Sequence, residues 1–557
     1  MEKKTSYHKE DNILSKTAVA IFSVLLVTFS VTSMQTIAMN NNNQGVALVQ
    51  EANAQVDQDI DQEGDCNDDG ICIASQSAAF TNINDNGDES EKVEQDILQI
   101  LNCGDPDCEQ FGGSPESILQ ASQDVDVDSL ENSRVDFDVD MEIKQESDGV
   151  GQDNMFQNNF GTQLFRVLAE DTSTVDADGD GKDVRFTMTQ TNDECDDSSC
   201  NNYADQSYEI FAANTGKTIL DHNSGFNVIQ TNNGCDDDDG DTDIDCINDS
   251  DQGLKITNHG TGTVFYDSKD PDDDTNDVIQ TNNCDFGEFD CINDANTFVG
   301  ITAIQNSNVN FDDVVQDVNQ NNNCDDLNTA KYDDIGCKNS LDMQLNIATE
   351  DNGFVTHEGD SPTHVQEATQ KNECDDAGCV NKGLMYVNLG TGTNDPIDGT
   401  LKTDYTQKLS QSNYCSDEAQ CKNQAEIVYN AFAGGSAVLT SVSNQYVTQS
   451  NTCSNGVSCT NIGLVTNNVF ADNTAKLTAT ANQYLTQSCN TSSSSCLNDN
   501  TVTTSGTALN NAVLSYTTNQ NINTADPNGE AKINIFRDSG NTNLGTITQT
   551  TIGTQNP

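Results

Sequence analysis

The sequence predicts an all-β protein: an elongated, repetitive β-solenoid of disulfide-clipped two-strand repeats, with a tandem array of small β-sheets as the alternative. Three observations predict it. Ten times a glutamine-bearing segment that alternates with a period of two runs into a closely spaced cysteine pair. Helical periodicity is evident nowhere beyond the amino-terminal leader. From Cys195 onward one first cysteine follows the next after 36 to 50 residues, and such arrays bury each unit against its neighbours.

The elements follow in order. Residues 1–55 carry Lys3, Lys4, Lys9 and Lys16 ahead of an apolar run from about Thr17 to Met39, read as a signal peptide or signal anchor plus linker. The run is long enough to span a bilayer, Lys16 would stay cytoplasmic, and Ala52-Asn53-Ala54 offers a cleavage site, so cleavage and anchoring both stay open. Residues 56–430 form an acidic β-repeat region, 431–500 a Ser/Thr/Asn-rich one, and 501–557 degenerate terminal repeats or a cap.

Within a unit, the segment before the first cysteine reads as in Gln366-Glu-Ala368-Thr-Gln370 or Gln445-Tyr-Val447-Thr-Gln449. Residues two apart share a strand face, so each unit shows Gln/Asn/Phe, apolar, Gln on one face. The second glutamine recurs in all ten units, as Gln62, Gln99, Gln190, Gln230, Gln280, Gln320, Gln370, Gln411, Gln449 and Gln487. Asparagine often follows two residues on, and x-Asn follows the second cysteine eight times, from Asn202 to Asn498. Stacked at about 4.8 Å, such amides can bond as a ladder; the plainer reading is a solvated polar face. A second strand such as Leu341–Ile347 and a Gly/Asn/Asp turn such as Gly390–Asp395 complete the unit. Between Cys108 and Cys195 a cysteine-free unit is expected around Gln152 to Thr162. Before it, Arg134–Ile143 reads as a strand with Asp136, Asp138, Asp140 and Glu142 along one face.

Cysteine number and spacing read as local disulfides in an oxidising compartment. The expected pairs are Cys66/Cys72, Cys103/Cys108, Cys195/Cys200, Cys235/Cys246, Cys284/Cys291, Cys324/Cys337, Cys374/Cys379, Cys415/Cys421, Cys453/Cys459 and Cys489/Cys496, which use all 20 cysteines. Zinc ribbons are rejected, because C-x2-C occurs nowhere. The 91 acidic against 23 basic residues, a formal charge of -68, exclude nucleic acid as a partner. Self-repulsion of that size calls for an extended surface or for cations.

The candidate cofactor is Ca2+. Asp176, Asp178, Asp180 and Asp183 surround a glycine turn at alternate positions, a pattern of oxygen ligands that suits calcium. Asp237, Asp239, Asp241, Asp243 and Asp245 in the Cys235/Cys246 loop form a second candidate, and Asn82, Asn84, Asn86 and Asp88 a third. For each, a solvated turn is the rival. No catalytic residue is assigned: His8, His222, His259, His357 and His364 occupy unrelated repeat phases, and no nucleophile or P-loop motif occurs. Asn248 and Asn490 head glycosylation sequons.

The Q-x-φ-x-Q-x-N columns, φ being apolar, resemble the curlin repeat of extracellular amyloid-like fibres, and the chain resembles secreted prokaryotic β-repeat adhesins over about residues 56–500. Curlin repeats are shorter and lack clipped loops. The resemblance implies a non-enzymatic structural or adhesive protein, secreted or at the cell surface. The expected partner is a surface or matrix component, with self-association into filaments as a further expectation and membrane contact only through the leader. A polysaccharide-acting β-helix enzyme is the alternative.

Overall fold

The computed structural model describes residues 46–555 apart from 50–54, 66–70, 85–87, 103–115, 149–155, 178–183, 194, 196–198, 221–223, 236–243, 268–275, 286–288, 313, 326–335, 358–363, 376–377, 392–398, 417–419, 455–457, 492–494, 526–529 and 540–543. Among these residues the chain passes back and forth between two sheets, A and B, and forms no helix. No described helix is therefore long and apolar enough to cross a membrane, and the leader lies outside the described residues.

Every coil lays one strand in each sheet, and each strand pairs in parallel with its equivalent in the next coil. Sheet A has thirteen described strands, from Val46–Val49 to Glu530–Ser539. Sheet B has eighteen, because five coils split their strand in two, as in Lys217–Leu220 and Ser224–Cys235. Pairing continues across the repeat boundaries, so this is one solenoid rather than a row of small sheets. The compositional borders at 430/431 and 500/501 fall inside strands Gln420–Ala433 and Ser495–Ala508, which pair on both sides.

Register follows the sequence pattern. Gln230 pairs with Gln190 and Gln280, and Cys246 with Cys200 and Cys291. A slip of one residue would turn every inward side chain outward, so the recurring residue types pin the stack. The cysteine-free coil corrects the expected boundaries. Its glutamine strand is the acid-faced segment itself, Arg134–Asp148, which sets Gln145 between Gln99 and Gln190. Gln152–Thr162 instead runs into the sheet-A strand Phe156–Ala169 of the same coil.

The first cysteine of a pair closes a sheet-B strand and the second lies at the start of a sheet-A strand, so the clipped connections leave from one edge. Seven predicted bridges are described: Cys195–Cys200, Cys235–Cys246, Cys284–Cys291, Cys324–Cys337, Cys374–Cys379, Cys415–Cys421 and Cys453–Cys459. Cys489 is also disulfide-bonded, while Cys66, Cys103, Cys108 and the side chains of Cys72 and Cys496 lie outside the description. At the opposite edge the turns hold left-handed residues such as Glu131, Asp171, Asn214, Asn473 and Asn510. Asparagine and aspartate tolerate that region best, which accounts for the turn composition. The space there is tight: a Cβ on Gly353 would lie 2.1 Å from the Ala303 carbonyl oxygen.

Between the edges the core is thin and matched in size. Sheet B contributes an apolar column of Met188, Val228, Val278, Val318, Ala368, Leu409, Val447 and Leu485, and sheet A answers with small residues. A Cβ on Gly161 would meet Met188 Sδ at 2.3 Å, and on Gly383 or Gly463 would meet a Leu409 or Leu485 methyl at 2.7 Å. By the same stagger Leu341, the large residue of the sheet-A column, faces Ala368, the small one of sheet B.

Candidate functional site

The glutamine column points inward. Gln370 is fully buried; its Nε2 donates to Gln320 Oε1 (2.8 Å) and to the Lys382 carbonyl across the core (3.0 Å), and its Oε1 accepts from Gln411 (2.7 Å). The same two-way bond recurs at Gln145, Gln190, Gln230, Gln280, Gln320, Gln411 and Gln449, so the solvated-face reading is overturned. Leaving a buried amide unpaired costs about 1–3 kcal/mol, and the stack avoids that cost by presenting an identical amide in the next coil.

Nearer the cysteines two asparagine columns interlock. In sheet A each asparagine from Asn159 to Asn461 donates to the next, ending on Asn498, at 2.8–3.0 Å. In sheet B Asn192, Asn232, Asn282, Asn322, Asn372 and Asn413 do the same, ending on Asn451. Rungs such as Asn339 to Asn372 (2.9 Å) and Asn372 to Asn381 (3.0 Å) join the two columns across the core. The asparagine columns donate toward the carboxyl end and the glutamine column toward the amino end, so the amide dipoles oppose each other.

A further glutamine ladder changes sheets. In sheet A Gln163 donates to Gln123, Gln206 to Gln163 and Gln252 to Gln206 (2.7–3.0 Å), facing Met141, Phe186 and Phe226 of sheet B. Sheet A then continues that column with Thr297, Met343, Met385, Ile427 and Val465. Sheet B takes over the amides as Gln316, Gln366, Gln407, Gln445, Gln483 and Gln520. Gln316 donates to Thr297 Oγ1 (2.9 Å) at the crossing.

The outer faces carry the charge. On sheet A one register column reads Asp126, Arg166, Glu209, Lys255, Gly300, then Asn346, Asn388, Asn430 and Asn468. Arg166 bonds Asp126 (2.6 Å) and Lys255 bonds Glu209 (3.5 Å), and the asparagines bond one another at 2.8–2.9 Å. Beside it, in-register pairing gathers Asp249 with Asp294 and Asp205 with Asp251, next to the stacked rings of Phe160 and Tyr203 (4.9 Å). Partial burial and then the neighbouring Asp294 and Asp251 push the Asp249 carboxyl up from 3.8 to about 6. On sheet B, burial followed by Asp59, Glu142, Glu94 and Asp140 raises Asp96 likewise to about 6.

No family model matches this chain, and no curated protein or solved structure does either.

The predicted calcium ligands are only partly described. Asp178, Asp180, Asp183, Asp237, Asp239, Asp241 and Asp243 lie outside the described residues. Asp176 ends a short sheet-B strand, nearly buried, and accepts from Arg134 Nη2 (2.8 Å). Asp245 is exposed on a sheet-A strand, its backbone N–H donating to Ser199 Oγ (3.3 Å), so these two belong to different sheets. Asn82 and Asn84 are buried on the core-facing side of strand Ile71–Asn84 rather than on a loop. The Asn248 sequon is corrected outright. Asn248 is fully buried and bonds Asn202, Asn282 and Asn293, so a glycan cannot be carried there in the folded stack. The aspartate patch was not foreseen, because its paired members sit 45 or 46 residues apart and only register unites them.

Proposed function

We propose that the chain is an exported structural or adhesive protein of the cell surface or extracellular matrix. The observation that carries the reading is the sulfur column. Seven local bridges stack one above the next in a fully buried row, and stable structural disulfides belong to oxidising compartments. Each closes a loop of 5 to 13 residues and contributes about 2 kcal/mol by the chain-entropy model, so the bridges clip turns while the amide ladders hold the stack. A two-sheet solenoid stiffened throughout its length suits a rod that spaces or attaches, and the acidic outer faces suit divalent cations as counter-charge. The test is protease shaving of intact source cells combined with non-reducing peptide mapping. Recovery of the chain in the cytosol with free thiols would sink the reading.

The aspartate patch beside Phe160 and Tyr203 favours a second reading, a polysaccharide-acting enzyme. A carboxyl poised near pH 6 can serve as a general acid. Release of reducing ends or unsaturated sugars from acidic and neutral polysaccharides, abolished by Asp249→Asn, would move the assignment to that reading.

A further inference from the structure

We infer that two copies of the chain pair face to face through the outer side of sheet B over its last fully described coils. The face comprises strands Thr400–Ser416, Val438–Cys453, Lys476–Thr491 and Val513–Ala525. It differs in charge from the same side of the earlier coils. Across those four strands its described outward charges are Lys402, Asp404, Lys408 and Lys476, on a chain of net charge -68. The same side of sheet B at Arg134–Asp148 presents Asp136, Asp138, Asp140, Glu142, Glu146 and Asp148 against Arg134 and Lys144. Like face can meet like face without strong repulsion only toward the carboxyl end.

The chemistry of the face suits a copy of itself. Tyr414, Val438, Tyr446, Tyr484 and Val513 are 37–55% exposed there, and the Tyr446 and Tyr484 rings stack at 4.8 Å. Between them run Asn444, Asn482 and Asn519, bonded at 2.7–2.8 Å, and the paired Thr448 and Thr486. Amides and hydroxyls both donate and accept, so identical rows are self-complementary across a two-fold axis. The area is sufficient: four strands spaced ~4.8 Å apart and ~50 Å long offer ~900 Å² per copy. A standard stable interface needs ~800 Å² per partner.

Electrostatics also chooses the direction. A two-fold axis along the solenoid would bring the two acidic amino-terminal faces together. An axis along the strands overlaps only the carboxyl-terminal coils and points the acidic coils away from each other. The pair is therefore antiparallel and longer than one copy. Its amino ends point in opposite directions, the geometry of copies held on facing surfaces; that last step rests on the surface reading, whereas the pairing itself does not.

The experiment is sedimentation velocity and small-angle scattering of the full chain at low and high salt. We expect a dimer that strengthens with salt, as the acidic repulsion is screened, and whose maximum dimension exceeds that of the monomer. Tyr484→Asp and Thr448→Asp each place a charge in the contact twice and should weaken it at least ~100-fold, with the far-ultraviolet spectrum unchanged. Thr466→Asp, outward on sheet A of the same coils, should leave the dimer intact. A monomer at all concentrations, a dimer indifferent to Tyr484→Asp, or one equally lost in Thr466→Asp would overturn the pairing. So would a monomer retarded on a neutral glycan matrix through Tyr484, which would give the face to a glycan. A dimer that fails to aggregate beads carrying the chain by its amino end would keep the pairing and remove the facing-surface step.

Discussion

The coils before about residue 300 and those after it share one backbone plan but distribute polarity differently. After a first sheet-B pair, Gln58 and Gln95, the movable glutamine ladder of the early coils belongs to sheet A, opposite Met141, Phe186 and Phe226; in the later coils it belongs to sheet B, opposite Met343, Met385 and Ile427. Outside, the early coils stack alternating charges and the later coils stack identical asparagines. The lesson concerns what a parallel stack allows at about 4.8 Å. An amide is its own partner, so a column of one residue type satisfies itself. A charge is not, so a charged column must alternate in sign or lose ionisation, as Asp96 and Asp249 do in part. Inside, one amide column per layer is enough, and its sheet can change where a hydroxyl such as Thr297 bridges the two.

The largest expected effect comes from removing the amide that the early coils rely on. Gln206→Leu strips Gln252 Nε2 of one of its two acceptors, leaving the Phe226 carbonyl, and Gln163 Oε1 of a donor, in a buried layer. Two unpaired groups should cost about 2–4 kcal/mol, read as a lower urea midpoint or faster hydrogen exchange in strands Phe156–Ala169 and Ile244–Gly260. Thr297→Gln should act in the opposite sense. It would extend the sheet-A ladder by one coil, to meet Gln316, and should cost less than about 1 kcal/mol. Equal losses for the two variants would mean that volume rather than amide pairing governs this layer.

Next in size is the reverse substitution in the later coils. Met385→Gln keeps the volume but sets an amide between Met343 and Ile427, where sheet A has no ladder to receive it. The expected cost is about 1–3 kcal/mol in the same exchange measurement on strand Cys379–Thr391. A neutral outcome would show that the later coils could host the ladder in either sheet, and the change of sheets would then lack an energetic basis.

Much of this was legible in the sequence. The period of two, the ten recurring glutamines and the cysteine pairs yield the two-sheet stack and the seven described bridges. Gln145 and Asn159 are not legible in the sequence because the repeat is marked by its cysteine pair, and their coil has none. The sheet-A ladder from Gln123 to Gln252 is not legible because its four glutamines lie far from the glutamine–cysteine segment that marks each repeat, and later repeats replace them with Thr297 and Met343. The facing of Gly383 by Leu409 depends on the stagger between sheets, which no single strand encodes. The aspartate patch was hidden for a related reason: each member reads as an ordinary acidic residue until register brings Asp249 beside Asp294.

A smaller effect should separate the outer columns. Arg166→Glu would set a carboxylate between Asp126 and Glu209, leaving three like charges in register, whereas Asn430→Asp adds one charge among amides. Arg166 is exposed and Asn430 half-buried at the surface, and solvent screens both, so the first should cost roughly 0.5–1 kcal/mol and the second less. High salt should shrink the difference, and a difference that survives high salt would point to packing instead.

The smallest effect is the dependence on pH, and its sign follows from the raised carboxyls. Asp96 and Asp249 titrate near 6 in the fold, against 3.8 for the free side chain, because burial and in-register acidic neighbours disfavour the anion. The folded state therefore holds their protons more tightly than the unfolded chain does. Their contribution to stability is complete below about pH 3.8 and is lost as the pH rises through about 6. The later coils from 438 to 523 hold only Asp472 and Asp499 as acids, so they have little of this repulsion to relieve. Acidification from neutral to about pH 5 should slow hydrogen exchange, after correction for intrinsic rates, in Asp88–Asn102 and Ile244–Gly260. Val438–Cys453 and Lys476–Thr491 should barely respond. The gain is modest because these carboxyls are only partly buried and solvent screens them. Calcium at neutral pH should act in the same direction on the same strands, since a bound cation offsets the charge that a proton removes. Equal slowing in both regions would mean that the acidic columns are already neutralised by solvent, and the contrast between early and late coils would then be confined to the interior.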